Sequence, residues 1–148
     1  MEYKKIKIAT IVLSLVLFGI SLTQDAIVKN YNDEISSVSS LEYFFMGSTA
    51  FIGGGLLEQI IWLANPLSLF AIIYLFKDNR KAIILSLIAS VLAVSFSFWS
   101  EILGAESGSM AKIVSFELGY YLWLSSIFTL TIGILIYYKI SLKSILQS

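Results

Sequence analysis

Three carboxylates, Glu58, Glu101 and Glu117, and one asparagine–proline pair, Asn65-Pro66, are the residues of this chain whose types and spacing bear on chemistry. Each acid falls at the end of a different apolar stretch, so the three are expected to share one level. Brought together, their like charges would raise at least one carboxyl pKa, or a hard cation would bridge them through oxygen ligands. Kept apart, they are ordinary solvated charges. Glu58 is singled out because Trp62 and Asn65 follow it on the same helical face, which would let it exchange a proton or bind a cation within a membrane.

Asn65 lies about ten residues into its apolar stretch, roughly 15 Å from the outer end at a helical rise of 1.5 Å per residue. Pro66 donates no backbone hydrogen bond, and its ring clashes with the carbonyl of Trp62, so the helix is expected to kink there and leave that carbonyl seeking a partner. The run Trp62 to Pro66 therefore combines a structural kink, a freed acceptor and an amide that both donates and accepts. A clamp from Asn65 to a neighbouring helix is the plainer expectation. A ligand or ion site is the functional one, since interrupted helices near the bilayer midplane are where transporters bind substrates.

The chain has no histidine and no cysteine. The commonest general base and transition-metal ligand are thus missing, as are disulfides and thiolate metal sites. No catalytic residue, metal ligand or cofactor is assigned, and the chain is expected not to be an enzyme.

The elements that position these residues follow from composition. Hydrophobic residues make up 57% and charged residues 14%, against about 45–50% and about 25% in ordinary soluble domains. Four apolar stretches, about residues 6–22, 55–76, 82–103 and 117–138, each approach the ~20 residues of a membrane span. The first has a basic start like a signal peptide, but its apolar run is longer than a signal core, so it is expected to stay attached. The expected fold class is all-α: one domain, residues 1–148, forming an integral membrane bundle of four transmembrane helices.

An external segment, about residues 23–54, separates the first two spans. Its apolar part, Leu41 to Ile52, is expected to form an amphipathic interfacial helix or loop, bent into span two at Gly53-Gly54-Gly55. Ser86, Ser90, Ser97 and Glu101 fall on one face of span three. With Ser126, Thr129 and Gly133 of span four, they suit close helix packing. Tyr120, Tyr121, Trp123, Tyr137 and Tyr138 are placed as interfacial anchors.

Eight of the ten basic residues (Lys4, Lys5, Lys7, Lys77, Arg80, Lys81, Lys139 and Lys143) fall on one side of the spans, and only Lys29 and Lys112 on the other. The positive-inside rule then puts both termini in the cytoplasm and the chain in the plasma (inner) membrane. The acids Asp25, Asp33, Glu34, Glu42 and Glu106 join Glu58, Glu101 and Glu117 outside, so a formal charge of zero hides an acidic outer face.

These features point to a small membrane protein that is a non-enzymatic binding, immunity or accessory protein acting in the bilayer or at its outer face. The lipid bilayer is one partner, and a membrane or secreted protein is the other. The alternative is a small oligomeric transporter or channel using Glu58 and Asn65, for which a homo-oligomer would be needed. Nothing favours nucleic acid.

Overall fold

A computed structural model of the chain describes residues 2–104 and 109–146. Glu106 lies outside them. The elements in order are α1 (Glu2–Ser21), β1 (Asp25–Tyr31), β2 (Glu34–Ser39), α2 (Ser40–Thr49), a 3-10 turn (Ala50–Gly53), α3 (Leu56–Trp62), α4 (Ala64–Phe76), α5 (Lys81–Phe96), β3 (Glu101–Leu103), β4 (Met110–Phe116) and α6 (Leu118–Leu146).

The expected all-α, multi-pass bundle is corrected here: the fold is mixed α/β, with a four-stranded antiparallel sheet in the order β2-β1-β4-β3. The span count changes too. Among the described residues, two helical stretches, Leu56–Phe76 and Leu118–Leu142, are long and apolar enough to cross a membrane. The third stretch was expected to run to residue 103, but α5 has only 16 residues. That is about 24 Å of helix, short of a hydrocarbon core of about 30 Å. The apolar residues beyond it, Ile102 and Leu103, belong to β3, and Glu101 is a strand residue rather than a helical one.

Each hairpin arises from local chemistry. Asn32 and Asp33 both have positive φ, 52° and 66°, in the two-residue loop between the paired residues Tyr31 and Glu34. Two left-handed residues match the twist of the flanking strands, and asparagine and aspartate tolerate that region better than other non-glycine residues. The second hairpin pairs Ile102 with Ala111 and Leu103 with Met110. β1 then pairs with β4, Ile27 opposite Phe116, and joins two hairpins from distant parts of the chain. Ile27, Val38, Ile102 and Ala111 are buried as one apolar cluster, with Phe96 and Trp99 packed against it. The sheet thereby closes over one end of the helices.

Where the sheet meets the helices the backbones nearly touch. The amide of Glu117 donates to the carbonyl of Ala26 at 2.8 Å, and that of Ser40 to Gln24 at 2.9 Å. A β-carbon on Gly119 would come within 2.1 Å of the Ser40 hydroxyl and 2.6 Å of the Asp25 carbonyl. Only glycine fits there without a shift.

α6 packs between α1 and α5, and α5 lies against α4. Small and hydroxylic residues make these contacts, as the stripes in the sequence suggest. Ser14 donates to the carbonyl of Ser126 at 2.9 Å. Ser90 and Thr131 share a 2.9 Å hydrogen bond, and Thr131 also reaches the carbonyl of Ser86 at 3.1 Å. Gly133 lies so close to Thr10 that a β-carbon would fall 2.1 Å from its hydroxyl oxygen. The segment from Leu41 is a true helix, and the 3-10 turn ends at Gly54, whose φ of 90° favours glycine and breaks any continuation into α3.

At the end away from the sheet, Asp78 ties three elements together. It accepts from Lys7 of α1 and from the Tyr137 hydroxyl of α6, and Lys7 sits 5.2 Å from the centre of the Tyr137 ring. These hydrogen bonds, that of Lys7 foremost, hold the Asp78 carboxyl below its ordinary pKa.

Two outcomes follow. Gly133→Val forces α1 away from α6 and should cost about 1–3 kcal/mol, the usual range for overpacking, read as a lower midpoint of thermal unfolding in detergent. Because the folded pKa of Asp78 is depressed, its contribution is present above the unfolded value and is lost as pH falls through the folded one. Acidification below about pH 4 should therefore destabilise the parent more than Asp78→Asn, and equal slopes would contradict the assignment.

Candidate functional site

The break expected at Pro66 is present: α3 stops at Trp62 and α4 starts at Ala64. Asn65 fills the gap. Its amide nitrogen donates to the carbonyl of Trp62 at 3.1 Å, the acceptor left free by the proline. Its amide oxygen accepts from the indole nitrogen of Trp123 at 2.8 Å. One side chain therefore satisfies the broken helix and fastens it to α6. Trp62 extends the chain of contacts outward, donating from its own indole to the carbonyl of Phe44 at 2.8 Å. The backbone of Gly47 leaves room for that ring, since a β-carbon there would sit 2.5 Å from it. Together these contacts hold α2 over the start of α3.

Beneath α2 lie two adjoining cavities, an upper and a lower lobe. The lower, of about 260 Å³, opens between α1 and α4 beside Leu15 and Leu69 and is floored by Ser126 and Ile127 of α6. The upper, of about 100 Å³, runs under α2 past Ser40, Tyr43 and Glu58. Phe18, Phe44, Trp62, Asn65 and Trp123 line both lobes, so the two adjoin. Two buried hydroxyls on this path, Ser40 in the upper lobe and Ser68 in the lower, have no hydrogen-bond partner among the described residues. Buried polar atoms are normally paired, so these two hydroxyls stand out along the lining.

The three singled-out carboxylates have separate surroundings. Glu58 accepts the backbone amide of Leu103 at 2.9 Å, which fastens α3 to the edge strand β3. Glu101 is exposed on that strand, opposite Lys112. Glu117 accepts the Ser115 hydroxyl at 2.5 Å. Among the described residues, no three acids are grouped so that they could hold a metal ion. Glu58, Trp62, Asn65 and Pro66 do share one neighbourhood, whereas Glu101 and Glu117 line neither lobe.

Tyr120 and Trp123, grouped in the sequence with the interfacial anchors, both turn toward neighbouring helices. Tyr120 is buried, its hydroxyl donating to the carbonyl of Ala93 at 3.1 Å, while Tyr121 is the exposed neighbour. The spacing Tyr120, Trp123, Ile127, Leu130, Ile134 follows the inward face of one helix, a signal available in the chain itself. Phe18, Ser40 and Phe44 carry no such signal, because they meet the site only through the placement of α1 and α2.

No protein-family profile, curated protein or solved structure matches this chain.

The bridge from Asn65 to Trp123 can be isolated by a double-mutant cycle. Asn65→Leu and Trp123→Phe each remove it and should each cost about 0.5–1.5 kcal/mol, the usual net range for one intramolecular hydrogen bond. Their effects on unfolding in detergent should be less than additive, because the second change has no bond left to remove. Full additivity would mean that the two residues act independently.

Proposed function

We propose that this chain is a non-enzymatic, membrane-held binding protein whose cavity between α1 and α4 receives the apolar chain of an amphiphile. The supporting observation is a cavity that is apolar along its path, open on the side of the helical layer and provided with unpartnered hydroxyls. Its surroundings agree. Ile8, Val12, Leu69, Phe70, Ile84, Val91, Ile132 and Leu135 are all exposed on the helices, and an apolar belt of that extent is a site of contact with a membrane or another protein. With the helical layer in lipid, an acyl chain is the most abundant apolar group at the mouth of the groove.

In this reading the two long apolar stretches, Leu56–Phe76 and Leu118–Leu142, hold the chain in the plasma (inner) membrane. Lys4, Lys5, Lys77, Arg80 and Lys81 mark the inner end by the positive-inside rule. Transport through Glu58 and Asn65 is less favoured, because Glu58 and both ends of the Asn65 amide are engaged with backbone or indole groups that hold the fold.

Tryptophan emission provides the test. Trp62 and Trp123 line the groove and Trp99, the third tryptophan, does not, so Trp99→Phe isolates the pair. In vesicles of phospholipid brominated along the acyl chain, their emission should be strongly quenched. Filling the lower lobe by Ser68→Phe should relieve at least half of that quenching. Equal quenching with and without the filled lobe would place the chains on the outer surface only and remove the groove as a binding site.

A further inference from the structure

The upper lobe differs from the lower in chemistry. Seven aromatic residues, among them Tyr43, Phe44, Trp62, Phe96, Tyr120 and Trp123, contribute to its lining, Glu58 supplies a carboxylate, and no lysine or arginine is among the lining residues. The rings are grouped closely: Phe44 and Trp62 lie 6.2 Å apart, Phe96 and Tyr120 5.7 Å, and Tyr120 and Trp123 6.0 Å, centre to centre. Aromatic faces carry the negative side of a quadrupole and attract cations, ammonium groups above all. Glu58 uses one oxygen to accept the Leu103 amide. A carboxylate has further lone pairs to offer, and no ion pair to Glu58 is present among the described residues. The Ser40 hydroxyl, on a residue 9% exposed, lines the same lobe without a partner.

The field in the lobe agrees with this composition. Burial pushes the Tyr43 phenol above its ordinary pKa, and the negative charges of Glu42 and Glu58 push it further.

We propose that the upper lobe binds the ammonium head of a cationic amphiphile, held among the aromatic rings beside Glu58, while its alkyl chain descends the groove between α1 and α4. The assignment rests on the groove reading given above and adds the head group to it. A phosphate-bearing lipid is disfavoured, because its phosphate would meet Glu58 with no lysine or arginine in the lining to neutralise it. A neutral chain would fill the groove but leave the carboxylate without a counter-charge.

The test compares three probes of equal chain length, each added below its micellar concentration to the protein in nanodiscs and followed by Trp62 and Trp123 emission. The probes are dodecyltrimethylammonium, dodecanol and dodecylphosphocholine. The ammonium probe should bind at least tenfold more tightly than the other two. Glu58→Gln keeps an oxygen for the Leu103 amide while removing the charge, and should abolish that preference without weakening dodecanol. Tyr43→Leu provides a second variant if the first fails to fold, and should weaken the ammonium probe severalfold while sparing dodecanol. Glu34→Gln, at an exposed residue of β2 outside the lining, should change binding little. Equal binding of ammonium probe and dodecanol would overturn the head-group assignment and leave the groove standing. Tighter binding of dodecylphosphocholine would make a phospholipid the ligand and also overturn it. Binding of none of the three would remove both readings.

Discussion

A proline has no amide hydrogen, and the central architecture of this protein is organised around that deficit. Pro66 leaves the carbonyl of Trp62 without its helical partner, and Asn65, the residue beside it, returns a hydrogen bond to that carbonyl while accepting another from Trp123. The amide thus converts a break in one helix into a link between two. Next to this link the Trp62 indole reaches the carbonyl of Phe44 and holds α2 over the start of α3. A regular helix through residues 56–76 would satisfy Trp62 internally and give Asn65 no bond to make with it.

The sheet imposes the second constraint. Its two hairpins come from separate connections, one between α1 and α2 and the other between α5 and α6, and they meet only through the pairing of β1 with β4. That pairing brings Glu117 and Gly119 against Ala26, Asp25 and Ser40, and so sets how α6 begins relative to the end of α1. The opposite end is set by Asp78, Lys7 and Tyr137. Between these two fastenings α1 and α6 approach closely enough for Gly133 to touch Thr10. On this side of the groove the wall is held at both ends.

The chain made part of this legible. Asn65 and Pro66 could be read from one dimensional fact, their depth in an apolar stretch, together with the known chemistry of proline. The small-residue and hydroxyl stripes likewise announced helix contacts, and Ser86, Ser90 and Gly133 make them. The sheet was missed because apolarity averaged over a window counts composition and ignores which atoms accept hydrogen bonds. Ile102 and Leu103 therefore extended a helix that ends at Phe96, and Ile113 to Phe116 merged with the approach to α6. The Asn32-Asp33 pair was a local turn signal, but it lacks the glycine that marks the strongest hairpin loops. The aromatic lining was the least readable part. Phe18, Phe44, Trp62 and Trp123 belong to four different helices, and no spacing within one helix announces a partner on another.

The β1–β4 pairing also governs the order in which the molecule can be made. β1 is complete after residue 31, whereas its partner does not exist until residue 116 has been added. During synthesis the first hairpin must therefore wait with one edge open, and an open strand edge is a template for pairing with other chains. Contacts so distant along the chain also close slowly, because the entropy of the intervening loop is lost before any pairing is gained. Exposed serines on β2, Ser36 and Ser37, keep the outer margin of that waiting hairpin polar. The vulnerable margin is the inner one, and its protection arrives only with the last quarter of the polypeptide.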